Sequence, residues 1–340
     1  MRIFNIMMSR DLGGIQQVYI DYSEALRMQS HEVINISSIG AEINNLLNND
    51  YALPNIMPRC IISKIYLQSL IAKHKPDTII CHGNRAISFS TAFSFLCKRK
   101  IPIIGVSHNY SYKYLAGCDY ILTLTKKLKQ HLIDKGIDKT KLFEIPNMTR
   151  VVHDYQPMDY HSPVIIGSFG RFVENKGFKY LIEAISILKE NNCNVRLLLG
   201  GSGDSESENL LRVQVTRLGL EDCVTFDGWV KDKDEFFKRI DIFCSPSIVE
   251  PFGVIPLEAM ARSAPIIATK SGGPEETITD GKDGIVVDIK SPKALSDALQ
   301  RLISDEKLGR SLSKAAYSKV KDYYDIAIVS KKLSDIICEF

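Results

Sequence analysis

Short apolar runs alternate along the chain with polar or glycine-rich turns and longer amphipathic stretches. This order is typical of β-α-β units, in which helices join parallel strands. In the first half it predicts strands at 2–7, 32–37, 77–81, 102–106, 119–123 and 142–145, and helices near 15–29, 60–74, 86–98 and 125–135. A second series predicts strands at 164–169, 195–199, 224–226, 240–244, 265–268 and 284–287. The same architecture therefore occurs twice.

The chain divides where the apolar periodicity fades, at residues 147–163, which are expected to link two domains. The sequence predicts an α/β protein with two doubly wound, Rossmann-like domains facing a central cleft. Their bounds are 1–150 and 164–322, and apolar residues at helical spacing predict a final helix within 323–340. Ligands of doubly wound folds bind beyond the carboxyl ends of strands, so functional residues are expected in the loops that follow strands.

Composition favours a cytoplasmic location. The 340 residues are enough for two domains that need no disulfide bonds for stability. The eight cysteines are scattered along the chain with no C-x-x-C pair. They are interpreted as reduced thiols of a cytosolic protein. The apolar run at the amino terminus is too short for a secretion signal or a membrane span, and it reads as a first buried strand.

Charge is unevenly distributed along the chain. Residues 1–155 hold 19 Lys and Arg against 12 Asp and Glu, a net charge of +7, so the remainder carries −4 to give the overall +3. The net positive charge of this first half attracts nucleic acid or an anionic membrane. Because no motif of a nucleic-acid module is present, we expect no nucleic-acid partner and peripheral contact with the inner face of a membrane.

A candidate membrane-binding surface follows the predicted strand 77–81. It comprises one apolar helical face and two basic clusters, namely Phe89, Ala92, Phe93 and Leu96 with Lys98-Arg99-Lys100, and Lys126-Lys127-Leu128-Lys129. Such a face can lie in a membrane interface. A core-facing helix with a solvated basic end explains it equally well.

The most informative segment holds two carboxylates, Glu250 and Glu258, separated by seven residues. Pro251 prevents a helix from continuing through Glu250, and Gly253 allows backbone to approach a ligand closely. Residues 257–260 read as the start of a helix, whose free amides favour an anion. The carboxylates are then better suited to accept hydrogen bonds from hydroxyl groups, and phosphate with hydroxyls indicates a sugar nucleotide.

Two cations follow the predicted strand 164–169. Arg171 and Lys176 lie five residues apart in a glycine-bounded loop and can converge on one diphosphate. The alternative is two solvated loop cations. The Glu250–Glu258 segment favours the diphosphate.

Two further loops of the second half carry weaker signals. The flexible turn that contains Gly201, Gly200-Gly201-Ser202-Gly203-Asp204, follows strand 195–199 and could accept a phosphate or a base edge through its amides, although it lacks a complete nucleotide-binding motif. Trp229 and Val230 follow strand 224–226, where a nucleobase could contact main chain. A core anchor is the alternative for Trp229.

In the first half, Gly13 and Gly14 follow the first strand and open a helix, where they leave room for a phosphate or a reactive sugar carbon. An ordinary turn is the alternative. His82 and His108 each end a predicted strand on the side expected to face the cleft. One histidine there is more often structural, and two favour function.

No metal site is predicted. Asp232-Lys233-Asp234 matches the D-x-D pattern that holds a metal in one class of sugar transferases. However, Asp232 with Glu235 has the spacing of a helix cap, and no other cluster completes a metal site. We therefore expect neither a metal nor another cofactor.

With these residues in place, the chain resembles the retaining glycosyltransferases of family 4, which have the GT-B fold. The resemblance covers nearly the whole length. The matching motifs, in order, are Gly13-Gly14, Asp119-Tyr120-Ile121, Gly170-Arg171 with Lys176-Gly177, Glu250-Pro251-Phe252-Gly253 with Glu258 as the E-x7-E element, and Gly272-Gly273-Pro274-Glu275. In GT-B proteins the final helix crosses back onto the first domain, so residues 323–340 are expected to do so.

The resemblance implies roles for the donor site. Arg171 and Lys176 would bind the donor diphosphate and neutralise charge on the leaving nucleotide without a metal. Glu250 would accept hydrogen bonds from the donor sugar and Glu258 from the ribose. The amides of Phe252, Gly253 and Val254 would face sugar and phosphate.

It also implies roles in the first domain. His108 would lie near the reactive sugar carbon, and Gly13 and Gly14 would leave room for donor and acceptor to meet. Retention in this family is attributed to attack from the front face, with a leaving phosphate oxygen taking the acceptor proton.

The implied function is metal-independent transfer of a hexose or an N-acetylhexosamine from a nucleoside diphosphate sugar, with UDP as the expected nucleotide. The acceptor would be a glycan or a glycolipid in envelope polysaccharide or lipopolysaccharide assembly. Residues 40–58 match no acceptor motif, which leaves the acceptor open. Two alternatives remain: a non-catalytic nucleotide-sugar-binding subunit of a glycan assembly complex, and a sugar-nucleotide epimerase on the same fold.

Overall fold

The computed structural model describes residues 1–10, 13–47, 50–54, 60–91, 101–151, 153–157 and 159–340. These residues form two compact units. The first unit comprises Met1–Met148 and Ile326–Phe340, and the second comprises Thr149–Asp325.

The first unit is a doubly wound parallel sheet. Its elements up to residue 148 are β1 (Arg2–Met7), α1 (Gly14–Met28), β2 (Glu32–Ser38), β3 (Tyr51–Leu53), α2 (Ile61–His74), β4 (Thr78–His82), α3 (Asn84–Thr91), β5 (Ile103–Ser107), β6 (Tyr120–Thr123), α4 (Lys126–Asp134) and β7 (Leu142–Glu144). The described strands pair in the order β3-β2-β1-β4-β5-β6-β7, all parallel. Strands β4 and β5 are buried at every residue, as expected for a sheet with helices on both faces.

The second unit repeats this design. Its elements are β8 (Val164–Phe169), α5 (Phe178–Glu190), β9 (Val195–Gly200), α6 (Ser205–Arg217), β10 (Val224–Gly228), α7 (Lys233–Lys238), β11 (Ile242–Ser245), α8 (Val254–Ala261), β12 (Ile266–Thr269), α9 (Pro274–Thr277), β13 (Ile285–Val287), α10 (Pro292–Ser304) and α11 (Glu306–Tyr323). The strand order is β10-β9-β8-β11-β12-β13, again all parallel. The chain switches direction between β8 and β11, where ligands of such sheets bind.

The last helix, α12 (Ile326–Cys338), belongs to the first unit and packs against α1. Two side-chain hydrogen bonds join the chain around α1 to it: Gln29 Nε2 donates to Ser330 Oγ at 3.0 Å, and His31 Nε2 lies 2.8 Å from Ser334 Oγ. Val329 and Leu333 of α12 are buried. The end of the chain thus contributes to the core of the first unit.

The predicted fold class is confirmed: there are two doubly wound α/β units, and each predicted strand occurs within two residues of its expected bounds. Strand β3 was not predicted, because its three residues are too few to show an alternating pattern. The predicted helix 86–98 begins at Asn84, and its residues 92–98 lie outside the described part of the chain.

Candidate functional site

The loop after β8 is held in place by close backbone packing. A 3-10 turn at Glu174–Lys176 leads to Gly177, whose φ of 68° places it in the left-handed region just before α5. A Cβ at Gly177 would lie 2.0 Å from the carbonyl oxygen of Pro246. Only glycine allows this contact, which seats the Lys176 loop directly on the loop that follows β11.

The loop after β11 is fixed from two sides. Ile248 N donates to Asn175 O at 2.8 Å, which joins it to the loop after β8. Glu250 N donates to Ser271 O at 2.9 Å, and Gly273 N donates to Glu250 O at 2.7 Å, which joins it to the loop after β12. The backbone of Glu250 therefore has little freedom.

These loops bring Lys176 and Glu250 together. Lys176 Nζ donates to Glu250 Oε2 at 2.5 Å, and the two side chains are 22% and 16% exposed. Ser247 Oγ lies 3.5 Å from the same carboxylate oxygen. A small cavity beside the pair is lined by further hydroxyls, Ser168 and Ser245 among them. Because water is partly excluded, electrostatic interactions at this site are stronger than those at the protein surface.

Helix α8 begins next to this pair. Gly253 caps it with φ 92°, in the left-handed region. Among the described residues, the amides of Phe252, Gly253 and Val254 have no hydrogen-bond acceptor, as expected at a helix amino terminus. They form a group of donors suited to an anion.

Glu258 lies one turn further along α8 and is 5% exposed. Its Oε1 accepts from Lys233 Nζ at 2.5 Å, whereas its Oε2 is buried and has no partner among the described residues. A buried carboxylate oxygen without a donor is costly. Glu258 therefore carries an unused acceptor.

The loops after β8, β9 and β10 are joined through glycines. Gly201 has φ 132°, and a Cβ there would lie 1.8 Å from Gly170 O. Gly201 N donates to Gly228 O at 2.6 Å. Arg171, next to Gly170, is exposed, and its guanidinium makes no ion pair or hydrogen bond within the described residues, although its carbonyl oxygen accepts from Val173 N at 2.8 Å. It is not joined to the Lys176–Glu250 pair.

Trp229 and Val230 follow Gly228. Trp229 is 44% exposed, so it is not the core anchor considered as an alternative. Val230 packs closely on Gly200, since a Cβ added at Gly200 would lie 2.4 Å from Val230 Cγ2. The indole is thus displayed on a well-fixed loop.

In the first unit, Gly13 caps α1, and Gln16 N donates to its carbonyl oxygen at 3.1 Å. Gly14 is the first residue of the helix, and a Cβ there would meet no described atom within 4 Å. The fold itself does not require glycine at position 14.

Two histidines meet at the ends of β4 and β5. His82 Nδ1 lies 3.1 Å from His108 Nε2, and the rings stack with centroids 5.2 Å apart. His82 is 1% exposed, and burial and the neighbouring His108 hold its pKa well below its ordinary value. Burial lowers the pKa of His108 to about 3. Both rings are therefore neutral near pH 7.

The D-x-D pattern is occupied by structural contacts. Asp232 accepts from Glu235 N at 3.0 Å and caps α7, while Asp234 pairs with Arg262 at 2.6 Å. Throughout the ranges that the structure covers, no three His, Cys, Asp or Glu side chains are grouped so as to hold a metal ion.

The candidate membrane-binding surface is only partly described. Phe89 lies in the core of the first unit with 1% exposure, so it does not face a membrane. Residues 92–100, with the rest of that face and one basic cluster, lie outside the described residues. Within the described ranges, the helices are all too short or too polar to cross a bilayer.

Sequence reasoning missed two partners of the predicted carboxylates, Lys233 and Ser247. Lys233 lies 25 residues before Glu258, and it stands inside the D-x-D pattern that drew attention to its neighbours instead. No spacing rule links residues on different β-α units. Lys233 lies on α7 and Glu258 on α8, the helices before and after β11, and only the folded unit shows their contact.

The chain is similar to known glycosyltransferases in sequence and in structure. The family model described as "Glycosyl transferases group 1" matches residues 157–319, and "Glycosyltransferase Family 4" matches residues 12–151. The lipopolysaccharide core biosynthesis glycosyltransferase LpsE of Rhizobium meliloti is 31% identical over 263 residues, covering 76% of this chain and 74% of LpsE. The capsular polysaccharide biosynthesis glycosyltransferase CapM of Staphylococcus aureus is 24% identical, covering 93% and 92%. The crystal structure of Anabaena HepE in complex with UDP and glucose superposes with a TM-score of 0.87 at 18% identity, covering 100% and 99%.

Proposed function

The chain belongs to the group 1, family 4 glycosyltransferases and has their GT-B fold, and we propose that it transfers a hexose or an N-acetylhexosamine from a UDP-sugar. The acceptor is a glycan or a lipid-linked glycan of envelope polysaccharide or lipopolysaccharide assembly. Transfer proceeds with retention of configuration and needs no metal ion. Peripheral contact with an anionic membrane through the basic first unit stays part of the proposal.

The observation that carries this proposal is the contact between Lys176 and Glu250, 2.5 Å apart on two loops that backbone contacts hold in place. Beside it stand the donors of Phe252 to Val254 at the start of α8 and the unused acceptor of Glu258. A cation with free amides suits a diphosphate, and carboxylates suit sugar and ribose hydroxyls. A nucleoside diphosphate sugar offers both kinds of group in one molecule.

Charge on the leaving nucleotide must be stabilised during transfer. In the proposal, Lys176 and the exposed Arg171 supply positive charge at the diphosphate, which is the electrostatic help that a metal gives in other transferases. A phosphate oxygen of the leaving group accepts the proton of the attacking hydroxyl, so no residue of the chain acts as nucleophile. The protein's part is to bind, orient and stabilise.

The comparisons support the substrate classes. HepE was crystallised with UDP and glucose, and LpsE and CapM are named for lipopolysaccharide core and capsular polysaccharide biosynthesis. Their likeness to this chain is the reason for choosing UDP-sugars and envelope glycans as the first substrates to test.

The proposal is tested by incubating the protein with a panel of nucleotide sugars, with and without a glycolipid extract, and measuring the nucleotide released. We expect UDP release that requires both donor and acceptor and persists in EDTA. Release without acceptor, or isomerised donor, indicates the epimerase instead. Tight UDP-sugar binding with no release under any condition indicates a binding subunit. The anomeric configuration of the product, read by NMR, tests retention.

A further inference from the structure

His82 is buried beside His108 and has no role in the proposed donor site. It ends β4, is 1% exposed, and places Nδ1 3.1 Å from His108 Nε2 at the end of β5. Tyr19 and Tyr22 of α1 pack against its ring edge to face, with centroid distances of 5.7 and 5.0 Å. These contacts on several sides fix the orientation of the His82 ring.

The other nitrogen of His82 decides which way the hydrogen bond points. Nε2 is buried and has no hydrogen-bond partner among the described residues. Because the ring is neutral, its single proton lies either on Nε2 or on Nδ1. On Nε2 it would be an orphaned buried N–H, which native structures almost never retain. On Nδ1 it is donated to His108, and only a lone pair is left without a partner.

The direction of this bond sets the tautomer of His108. If His82 donates, His108 Nε2 must accept, so the His108 proton lies on Nδ1. His108 is half-buried, and its Nδ1 makes no hydrogen bond with any described residue. The available nitrogen of His108 then carries a proton and can donate to an oxygen of a ligand. It cannot accept a proton there.

We propose that His82 is a positioning residue that holds His108 in the Nδ1–H tautomer, so that His108 acts as a hydrogen-bond donor to substrate and not as a base. This inference rests on the proposed function, in which His108 lies near the reactive sugar carbon. It assigns His82 a part in transfer without contact to substrate.

The tautomer is measured directly on the wild-type protein. Long-range proton–nitrogen spectra of ¹⁵N-histidine-labelled protein distinguish protonated from unprotonated ring nitrogens, and the signals of His108 are those missing in His108→Asn. We expect a protonated Nδ1 and an unprotonated Nε2 near pH 7. A proton on Nε2 of His108 overturns the proposal. This measurement of the tautomer needs no turnover, so its result is valid even if glycosyl transfer is not found.

A matched pair of variants tests the consequence for transfer. His82→Asn and His82→Leu introduce side chains that branch at Cγ and have the same number of heavy atoms, and only asparagine can donate to His108 Nε2. We expect His82→Leu to lower kcat about tenfold or more with little change in the donor KM, since partners that orient a functional histidine have effects of this size or larger. His82→Asn should stay within about threefold of wild type.

A purely structural role would give a different result. In that case the two variants would lose stability in urea and would lose kcat together, whatever their hydrogen-bonding capacity. Equal kcat for wild type, His82→Asn and His82→Leu overturns the positioning role. If His82→Leu does not fold, the wild-type tautomer and the kcat of His82→Asn still decide the matter.

Discussion

Lys176 Nζ lies 2.5 Å from Glu250 Oε2, although the two residues are 74 positions apart and follow different strands, β8 and β11. The pair is mostly buried, and both backbones are held by contacts between the loops. In the absence of ligand each charge therefore neutralises the other. A diphosphate that reaches Lys176 must compete with Glu250, whose carboxylate then becomes available to a hydroxyl.

We expect Lys176→Ala to lower kcat/KM about 100-fold or more, because in the proposed function the charge of Lys176 stabilises the leaving diphosphate. Lys179→Ala is the matched control, since Lys179 lies three residues away, pairs with the exposed Glu174 at 3.4 Å and lies over the ring of Tyr180. Steady-state UDP release measures both. A fully active Lys176→Ala protein contradicts the assigned role.

Glu250→Ala should also abolish turnover while leaving the fold intact, whereas Glu174→Ala should be neutral. The double variant Lys176→Ala/Glu250→Ala tests the coupling of the pair. Residues in direct contact show interaction energies of about 0.5–3 kcal/mol, so its stability should differ from the sum of the single effects. Strict additivity in urea denaturation would show that the contact contributes nothing to stability.

Lys233→Met should weaken donor binding and stability together. Glu258 has only 6% of its side chain exposed, and Lys233 is its donor, so the variant leaves a buried carboxylate without a partner. Because Lys233 itself is 30% exposed, we expect a loss of about 1–3 kcal/mol in unfolding free energy, below that of a fully buried pair. Lys238→Met, at the other end of α7, is the control.

The donor KM should rise in Lys233→Met more than kcat falls, since the ribose contact proposed for Glu258 would stabilise ground state and transition state alike. Glu258→Gln/Lys233→Met removes both charges and should regain stability relative to Lys233→Met. No change of KM in either variant would argue against a ligand at Glu258.

The fold could be predicted because apolar periodicity reports strands and helices directly. Strands β4 and β8 occur within one residue of their expected bounds, since long buried runs leave little choice. Strand β3 escaped prediction because an edge strand of three residues is specified by its pairing with β2 and not by its own pattern.

For the site, the sequence predicted individual residues but not the contacts between them. The motifs indicated Glu250 and Lys176 separately, but their 2.5 Å contact depends on β8 and β11 being neighbours in the sheet. The hydrogen bond between His82 and His108 has the same origin, since β4 and β5 are neighbours, whereas Lys233 and Glu258 meet because they lie on α7 and α8, the helices before and after β11. Local sequence does not encode such contacts, because they follow from the arrangement of strands and helices in the folded unit.

The Gly14→Ala variant tests whether glycine at position 14 is needed to leave space for substrate or to allow folding. A Cβ there meets no described atom within 4 Å, and replacing glycine by alanine where the backbone allows it stabilises a protein by about 0.4–1 kcal/mol, because the unfolded chain loses conformational freedom. We therefore expect unchanged or slightly higher thermal stability but much lower transfer activity, because the methyl group enters the space proposed for substrate.

Gly117→Ala is the control for that variant, since its Cβ would make an ordinary contact of 3.5 Å with Thr91 in the same unit. It should change neither property. Full activity in Gly14→Ala would show that the space beside Gly14 is not used by substrate.

The two histidines at the ends of β4 and β5 should make the first unit sensitive to acid. The pKa of His82 is held well below its ordinary value of 6.5 and that of His108 is lowered to about 3. Below pH 6.5 the unfolded chain therefore binds protons that the folded unit does not, and stability falls as pH falls, by at most about 1.4 kcal/mol per pH unit for each histidine. His108 contributes less than this limit, because it is half-buried and water reaches it.

Hydrogen exchange of peptides spanning β4 and β5 measures this effect, because the only tryptophan, Trp229, lies in the second unit and does not report the first. Between pH 7 and 5 the protection of wild type should fall relative to that of His82→Asn, which has no proton to gain. His153→Asn, at an exposed histidine of the second unit, serves as the control and should follow wild type. Parallel pH profiles for wild type and His82→Asn would mean that His82 takes up its proton as readily in the folded unit as in the unfolded chain.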